Sequence, residues 1–332
     1  MLHLLLLLPW AQSQAPAHDA YTHVVAISID GLRSDALTTE FGQELPGFQR
    51  LRQGAYTLNA RTDADYSVTL PNHASMLTGR LVLGEEGHQW TGNATPLPIA
   101  KMTLKSGEIP QGIFDVTSQR KITDSLIASK SKFLLFPQTW DNIDEFQILK
   151  KAPEAMDAAL KSLATAAGQH VPSFTFLHLR ELDDAGHDQG WVMDPGSAYM
   201  NALEQVDAEL MRLFTWLDDH PGFKVHTAIV LTSDHGGGIP LKNHHGQGRQ
   251  WVNIIIPFFV WTGDGLAKGD LYALNQGLRK DPGIQLHAPK HCEHAPIRNG
   301  EIANLSLQLL GLHAIPGSQL NAAQDLRWHP TP

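Results

Sequence analysis

Short apolar runs of strand length recur along this chain, with segments of helical period between several of them, and no other feature narrows its possible folds as much. Residues 24–29, 126–128, 174–179, 227–231 and 254–260 are rich in β-branched and aromatic side chains and read as strands buried on both faces. Between them, residues 154–167 place Met156, Leu160, Leu163 and Ala167 at helical spacing. Residues 199–217 repeat the pattern with Leu203, Val206, Leu210, Leu213 and Leu217. Alternation of this kind implies βαβ crossovers, hence an α/β fold with a mostly parallel central sheet and helices on both faces. No internal repeat, low-complexity linker or block of like charge marks a boundary, so residues 18–332 are expected to form one domain without a large inserted cap.

The 332 residues carry 25 Lys+Arg against 34 Asp+Glu, a formal charge of −9. That balance argues against a nucleic-acid duplex as partner, because phosphate backbones are bound by basic surfaces. A single cysteine, Cys292, excludes an intrachain disulfide framework and any Cys-based zinc module. Any metal must therefore sit on carboxylates and on some of the 18 histidines. Residues 2–9 are almost pure leucine, the length of a secretory h-region and too short to span a bilayer, and Ala15-Pro16-Ala17 offers a small-x-small cleavage site. Residues 1–17 are thus expected to be a signal peptide, and the protein to be exported to a periplasm or secreted. No later stretch is long enough for a transmembrane anchor; the longest apolar run, 251–261, contains Asn253 and Pro257.

In open parallel sheets ligands bind at the carboxyl ends of strands, so acids just past an apolar run are the first site candidates. Asp30 directly follows the first run and precedes Gly31. Asp183 follows the third, with His187 four residues on. Asp234 ends the fourth, with His235 behind it and His244 and His245 further along. Any one of these acids reads equally as a turn or capping residue. Jointly they form an all-oxygen and nitrogen ligand set suited to zinc or a similar divalent ion, and their number suits two metals. A fourth element runs from Ser67 through Thr69-Leu70-Pro71-Asn72-His73 to Gly79. Pro71 suits the first turn of a helix and Gly79 its end, which sets Thr69 just before a helix amino terminus, where free N–H groups favour an anionic substrate. A hydroxyl there is poised as a nucleophile once a bound metal lowers its pKa.

Asp30-Gly31, Thr69-Leu70-Pro71-Asn72-His73, Asp183-x-x-Gly186-His187 and Ser233-Asp234-His235-Gly236 occur in the order found in the alkaline phosphatase superfamily. The set most resembles its nucleotide pyrophosphatase/phosphodiesterase branch. The resemblance implies a zinc pair, one ion on Asp30, Asp234, His235 and the Thr69 oxygen, the other on Asp183, His187 and a third histidine. His245 is the expected third ligand and His244 the fallback, since spacing does not separate adjacent residues. His287, His291, His294 and His313 are the downstream alternatives, which matter because animal-type relatives place this histidine nearer the carboxyl end. The resemblance further implies hydrolysis of a small phosphate ester through a covalent phosphothreonine on Thr69, with Asn93 donating to a non-bridging oxygen.

Lys130 and Lys132, on either side of Ser131, could place a cation near substrate but read first as a solvated pair. Arg33, Arg80 and Arg180 lie near the motifs in sequence, with no indication of where they point. A sulfatase is disfavoured, because Thr69 stands where that group needs a Cys or Ser convertible to formylglycine, and His73 stands where it has Arg. Phosphomonoesterase or phosphoryl-group transferase activity of the same superfamily, and metal binding without turnover, are the alternatives.

Overall fold

β1 (His23–Ile29) has no exposed residue, and its side chains divide between two cores: Val24 and Ala26 face one, Val25, Ile27 and Ile29 the other. A strand apolar on both faces is satisfied only inside a sheet covered on both sides. The computed structural model, which describes residues 20–38, 44–63, 65–96, 100–239, 241–245, 250–283 and 294–330, supplies that sheet. Its other strands are β2 (Ala55–Arg61), β3 (Thr123–Ala128), β4 (Glu145–Ile148), β5 (Ser173–Leu179), β6 (Thr227–Thr232), β7 (Ile255–Thr262) and β8 (Gly269–Asp270). They lie in the order β4-β3-β5-β1-β6-β7-β2-β8. The block from β4 to β6 is parallel throughout, and β7 alone runs against its neighbours β6 and β2.

In chain order the larger helices are α1 (Pro46–Leu51), α2 (Thr69–Thr78), α3 (Ile113–Gln119), α4 (Leu135–Thr139), α5 (Ala152–Gln169), α6 (Glu181–Gln189) and α7 (Ala198–Asp219), followed by Ile302–Leu309. Phe48 of α1, Met156 and Leu163 of α5 and Leu203, Val206 and Leu210 of α7 close one face of the sheet. Leu70 of α2, Phe114 of α3, Phe136 of α4 and Leu305 close the other. The α/β fold with helices on both faces is therefore the observed one. Among the described residues no helix is long and apolar enough to cross a membrane. The expected signal peptide, 1–17, lies outside the described residues.

The periodic segments extend slightly beyond their apolar cores. Ser197 caps α7 by accepting the Met200 N–H at 3.3 Å, and α5 runs on until His170 takes a left-handed conformation at φ 55°. β3 begins three residues before its apolar run, because Asp124 is buried there at low cost: it accepts from Thr117 Oγ1 (2.6 Å) and the Asp144 N–H (3.0 Å). The run at 254–260 is the antiparallel β7, since the segment that follows β6 returns as a loop bearing His235 and His245 rather than as a crossover helix.

His88 anchors the loop after α2. Its Nδ1 accepts the Trp90 N–H and its Nε2–H donates to Ser75 Oγ, both at 3.1 Å, and burial pushes the imidazole down to about 3. The unfolded chain takes up this proton near the usual 6.5 and the folded chain only near 3, so stability is full above about pH 6.5 and falls as the pH drops through that window. His88→Gln is expected to reduce the slope of unfolding free energy against pH there by about 1.4 kcal/mol per unit, measured by urea denaturation from neutral to mildly acid pH. Equal slopes in the two proteins would show that His88 is not buried neutral.

Candidate metal centre

The carboxyl ends of β3, β5, β1 and β6 lie side by side because these strands are neighbours and parallel. Lys130 follows β3, α6 follows β5, Asp30 directly follows β1, and Asp234 and His235 follow β6. β1 is the point at which strand order reverses, the usual position of a ligand crevice in open α/β sheets.

Asp30 is fully buried, and its two oxygens have different fates. Oδ2 accepts from His178 Nε2 (3.0 Å) and Lys130 Nζ (2.6 Å), whereas Oδ1 has no hydrogen-bond partner. His178 is set in the donating tautomer because the Ser129 N–H occupies its Nδ1 at 3.2 Å. Asp234 shows the same division. Its Oδ1 accepts from the N–H groups of Gly31 (3.1 Å) and His235 (2.9 Å), and its Oδ2 is bare. His235 donates Nδ1–H to the Gly236 carbonyl at 2.8 Å. That leaves Nε2 without a partner, 3.5 Å from Asp30 Oδ1 and 3.3 Å from Asp234 Oδ2.

Asp183 and His187 lie one turn apart on α6 and so share a face. Lys130 Nζ binds Asp183 Oδ2, and Asp183 Oδ1 is bare, 3.4 Å from His187 Nε2 and 3.5 Å from His245 Nε2. His187 donates Nδ1–H to the Asn243 carbonyl and His245 donates its own to the Ser67 carbonyl, both at 3.1 Å. The two Nε2 lone pairs therefore face each other at 3.0 Å. His244 is placed differently: its carbonyl accepts the Gly238 N–H, and its ring centroid is 6.4 Å from that of His187, against 4.9 Å for His245. His313 is exposed, donating Nδ1–H to the Ala314 carbonyl, and His287 and His291 lie outside the described residues. His294 belongs to neither cluster. The two clusters adjoin, for His235 and His245 stack with centroids 3.7 Å apart.

These residues fit a pair of divalent cations. Within each cluster one ligand atom per residue lies within 4.8 Å of the others. A tetrahedral zinc with bonds of about 2.0–2.1 Å spaces its ligand atoms by about 3.3 Å, close to the separations given above. Bare carboxylate oxygens and opposed imidazole lone pairs repel one another unless a cation sits among them. Burial keeps the His235 imidazole below its usual pKa and pushes His245 down to about 3, so both are neutral, as ligation requires. Burial and the Asp30 charge raise the Asp234 carboxyl. Burial would raise Asp30 too, but Lys130 and His178 outweigh it and hold Asp30 well below the carboxylate range.

Thr69 opens α2 rather than preceding it, with Pro71 in the first turn and Gly79 as the left-handed cap at φ 63°. The helix start has no side-chain N-cap of its own; instead Asn93 Oδ1 accepts the Leu70 N–H at 2.9 Å. Asn93 Oδ1 also accepts from Lys132 Nζ at 3.1 Å, which leaves the Nδ2 amide as its free donor. Thr69 is nearly fully buried, its carbonyl accepting from His73 Nδ1 at 2.7 Å, and two residues earlier Ser67 holds His245. His73 in turn faces Asp234 Oδ2 at 3.7 Å, so the segment around Thr69 touches both clusters.

The lysines correct the expectation from sequence. Lys130 is buried and bridges Asp30 to Asp183, and Lys132 is part-buried against Asn93, because β3 lies next to β5 in the sheet. The three arginines are already engaged: Arg33 with Asp35, Arg80 with the Glu86 carbonyl, and Arg180 with Asp184. Sequence inspection also missed His178, for which an imidazole inside a buried apolar strand was the available signal. It missed a polar knot as well. Asn72 donates to the carbonyls of Tyr66 (2.6 Å) and Val68 (3.0 Å) and accepts from the Asp63 N–H (3.1 Å) and Asn299 Nδ2 (3.2 Å). Asn299 reaches the Ser233 carbonyl at 3.2 Å, tying the approach to Thr69 to the exit of β6.

Gly236 is required beside His235, since an added Cβ would fall 1.9 Å from the Val252 carbonyl oxygen. Gly236→Ala is expected to shift the carbonyl that orients His235, weakening any divalent-cation uptake about tenfold or more and destabilising the fold by about 1–3 kcal/mol. Zinc titration and thermal unfolding measure both, and wild-type values for the two would show that the loop is not pinned.

The sequence matches the type I phosphodiesterase / nucleotide pyrophosphatase family over residues 24–87 and 90–254. Solved structures share the fold at low identity. The lipoteichoic acid synthase LtaP of Listeria monocytogenes superposes with a TM-score of 0.63 at 13% identity, over 90% of this chain and 75% of that one. Murine ectonucleotide pyrophosphatase/phosphodiesterase 5, in an inactive threonine-to-alanine form with AMP, gives 0.56 at 17% identity, over 93% and 100%. The C-terminal periplasmic domain of EcEptC from Escherichia coli gives 0.55 at 15% identity, over 95% and 89%. Its fold is shared with a protein of the alkaline phosphatase superfamily from Vibrio parahaemolyticus, and the chain belongs to the type I phosphodiesterase / nucleotide pyrophosphatase family.

Proposed function

We propose that this protein is an exported, zinc-dependent phosphoric ester hydrolase in which Thr69 is the nucleophile. The observation that carries the proposal is the pair of carboxylate–imidazole clusters, one fully buried and one open to solvent at His187, each with bare ligand atoms converging, on either side of the segment that bears Thr69. Asp30, Asp234 and His235 would hold one cation and Asp183, His187 and His245 the other. Bound there, two divalent ions supply Lewis-acid stabilisation of the attacking and leaving oxygens of an in-line displacement.

The chain's own groups do the rest. Thr69 Oγ1 forms a bond to phosphorus as the bond from phosphorus to the leaving oxygen breaks, giving a phosphothreonine. Water then attacks the same phosphorus, releasing the phosphoryl group and restoring the hydroxyl, and the two inversions give net retention. The Thr69 backbone is held against recoil by His73, and Asn93 Nδ2 is the donor available to a non-bridging oxygen. A relative with the same fold is inactive with a threonine replaced by alanine, which supports a threonine nucleophile here.

Lys132 favours a second proposal about substrate charge. A phosphate monoester carries one more negative oxygen than a diester, and cations beyond a metal pair are what would neutralise it. Lys132 stands at Asn93, beside the amino terminus of α2. The phosphomonoester alternative thus gains a residue that composition alone had assigned to solvent.

Thr69→Ala is expected to lower turnover of p-nitrophenyl phosphate esters by about a thousandfold or more while both zinc ions stay bound. Full activity in that variant would remove the nucleophile assignment. Chelation is expected to abolish turnover and lower Tm, because a ligand bound only to the native state stabilises it. Lys132→Met is expected to depress hydrolysis of p-nitrophenyl phosphate more than that of bis-p-nitrophenyl phosphate. Equal losses on both would remove the monoester alternative.

A further inference from the structure

The segments that bear the ligands come from distant parts of the chain, yet all of them meet on one buried side chain, Trp191, which leads out of α6. Its indole Nε1–H donates to the carbonyl of Gly31, the residue after Asp30, at 3.0 Å. Its rings lie flat against two glycines. A Cβ added at Gly186, between Asp183 and His187, would fall 2.4 Å from the indole, and one at Gly237, two residues past His235, 2.3 Å from it. Its backbone N–H donates to the Lys242 carbonyl at 2.7 Å, holding the loop that carries His245. The ring edge meets both imidazoles of one cluster, His187 at 5.2 Å and His245 at 5.7 Å between centroids, in T-shaped contacts. Trp191 is 4% exposed.

We infer that Trp191 is a positioning residue that sets the Asp183–His187–His245 cluster against the Asp30–Asp234–His235 cluster, with Gly186 and Gly237 kept side-chain-free to admit its ring. The inference rests on the two-cation assignment above. The physical reason is asymmetric support. The Asp30 cluster is braced by backbone N–H groups, His178 and the Gly236 carbonyl. In the other cluster both imidazoles hang from loop carbonyls, as His235 does, but both rings also lean on one wall, the indole, which meets the Asp30 cluster through backbone at the Gly31 carbonyl and Gly237. Removing that wall frees His187 and His245 to turn apart while leaving the Asp30 cluster in place.

Stepwise zinc titration of the metal-stripped full chain against a chromophoric chelator, with the visible spectrum of the cobalt-loaded form as a second readout, tests this. Wild type is expected to take up two equivalents. Trp191→Ala is expected to retain the first and to bind the second about 10- to 100-fold more weakly, with only one set of tetrahedral cobalt bands, and Trp191→Phe to recover most of the loss. Gly186→Ala keeps the tryptophan but drives a methyl into it, and is expected to show the same selective loss even though alanine is the better helix former. Two equivalents bound at wild-type affinity by a folded Trp191→Ala or Gly186→Ala chain overturn the inference alone. So does a loss of both equivalents in step with a fall in Tm, which marks a merely structural role. A wild-type chain that takes up a single equivalent overturns the two-cation assignment, and the inference with it.

Discussion

Three buried aspartates brought together at one edge of the sheet set the terms for this structure. At an effective dielectric of about 20, two like charges about 4 Å apart repel by about 4 kcal/mol, so buried carboxylates crowded together need cations or protons. The fold supplies one cation permanently, since Lys130 bridges Asp30 and Asp183 through their Oδ2 atoms. It leaves Oδ1 of Asp30, Oδ1 of Asp183 and Oδ2 of Asp234 bare, each within 3.5 Å of an imidazole Nε2. Each carboxylate thus gives one oxygen to the protein and keeps the other for the centre. Such a division holds the carboxylates in place while leaving one oxygen of each open to a cation.

The same economy governs the histidines. His187, His235 and His245 each commit Nδ1–H to a backbone carbonyl, which fixes the tautomer and turns Nε2 inward. The carbonyls belong to loops, so the loops' own hydrogen bonds become part of the centre's geometry. That explains why close backbone contacts cluster here. Gly31, in a left-handed conformation at φ 74°, leaves only 3.0 Å between an added Cβ and the Cα of Asp183. Thr69 is held by a parallel device, with α2 started by Asn93 from outside and its approach tied down through Asn72 and Asn299.

Much of the fold was legible because burial on both faces leaves a continuous apolar signature, as in β1, β5 and β6. β2 was not, since its polar Asn59 and Arg61 interrupt the pattern and are accommodated by hydrogen bonds that no periodicity encodes. Asp30, Asp234 and the α6 pair could be picked out because each follows an apolar run closely. Lys130 and His178 could not be ranked, because a lysine after a strand and a histidine within one acquire meaning only from the neighbouring strand.

The sequence by itself determined the alternation of strands and helices, the acids at strand ends and the threonine at a helix start, because these depend on residues close in the chain. Only the tertiary structure decided the strand order β3-β5-β1-β6, and with it that Lys130, Asp183, Asp30 and Asp234 share one edge. It also set His245, rather than the adjacent His244, beside Asp183 and His187, through the carbonyl of Ser67, a partner 178 residues away. The physical reason is the same in each case. Burial periodicity is written along the chain, whereas charge pairing and lone-pair direction depend on contacts across the sheet that form only when distant segments pack.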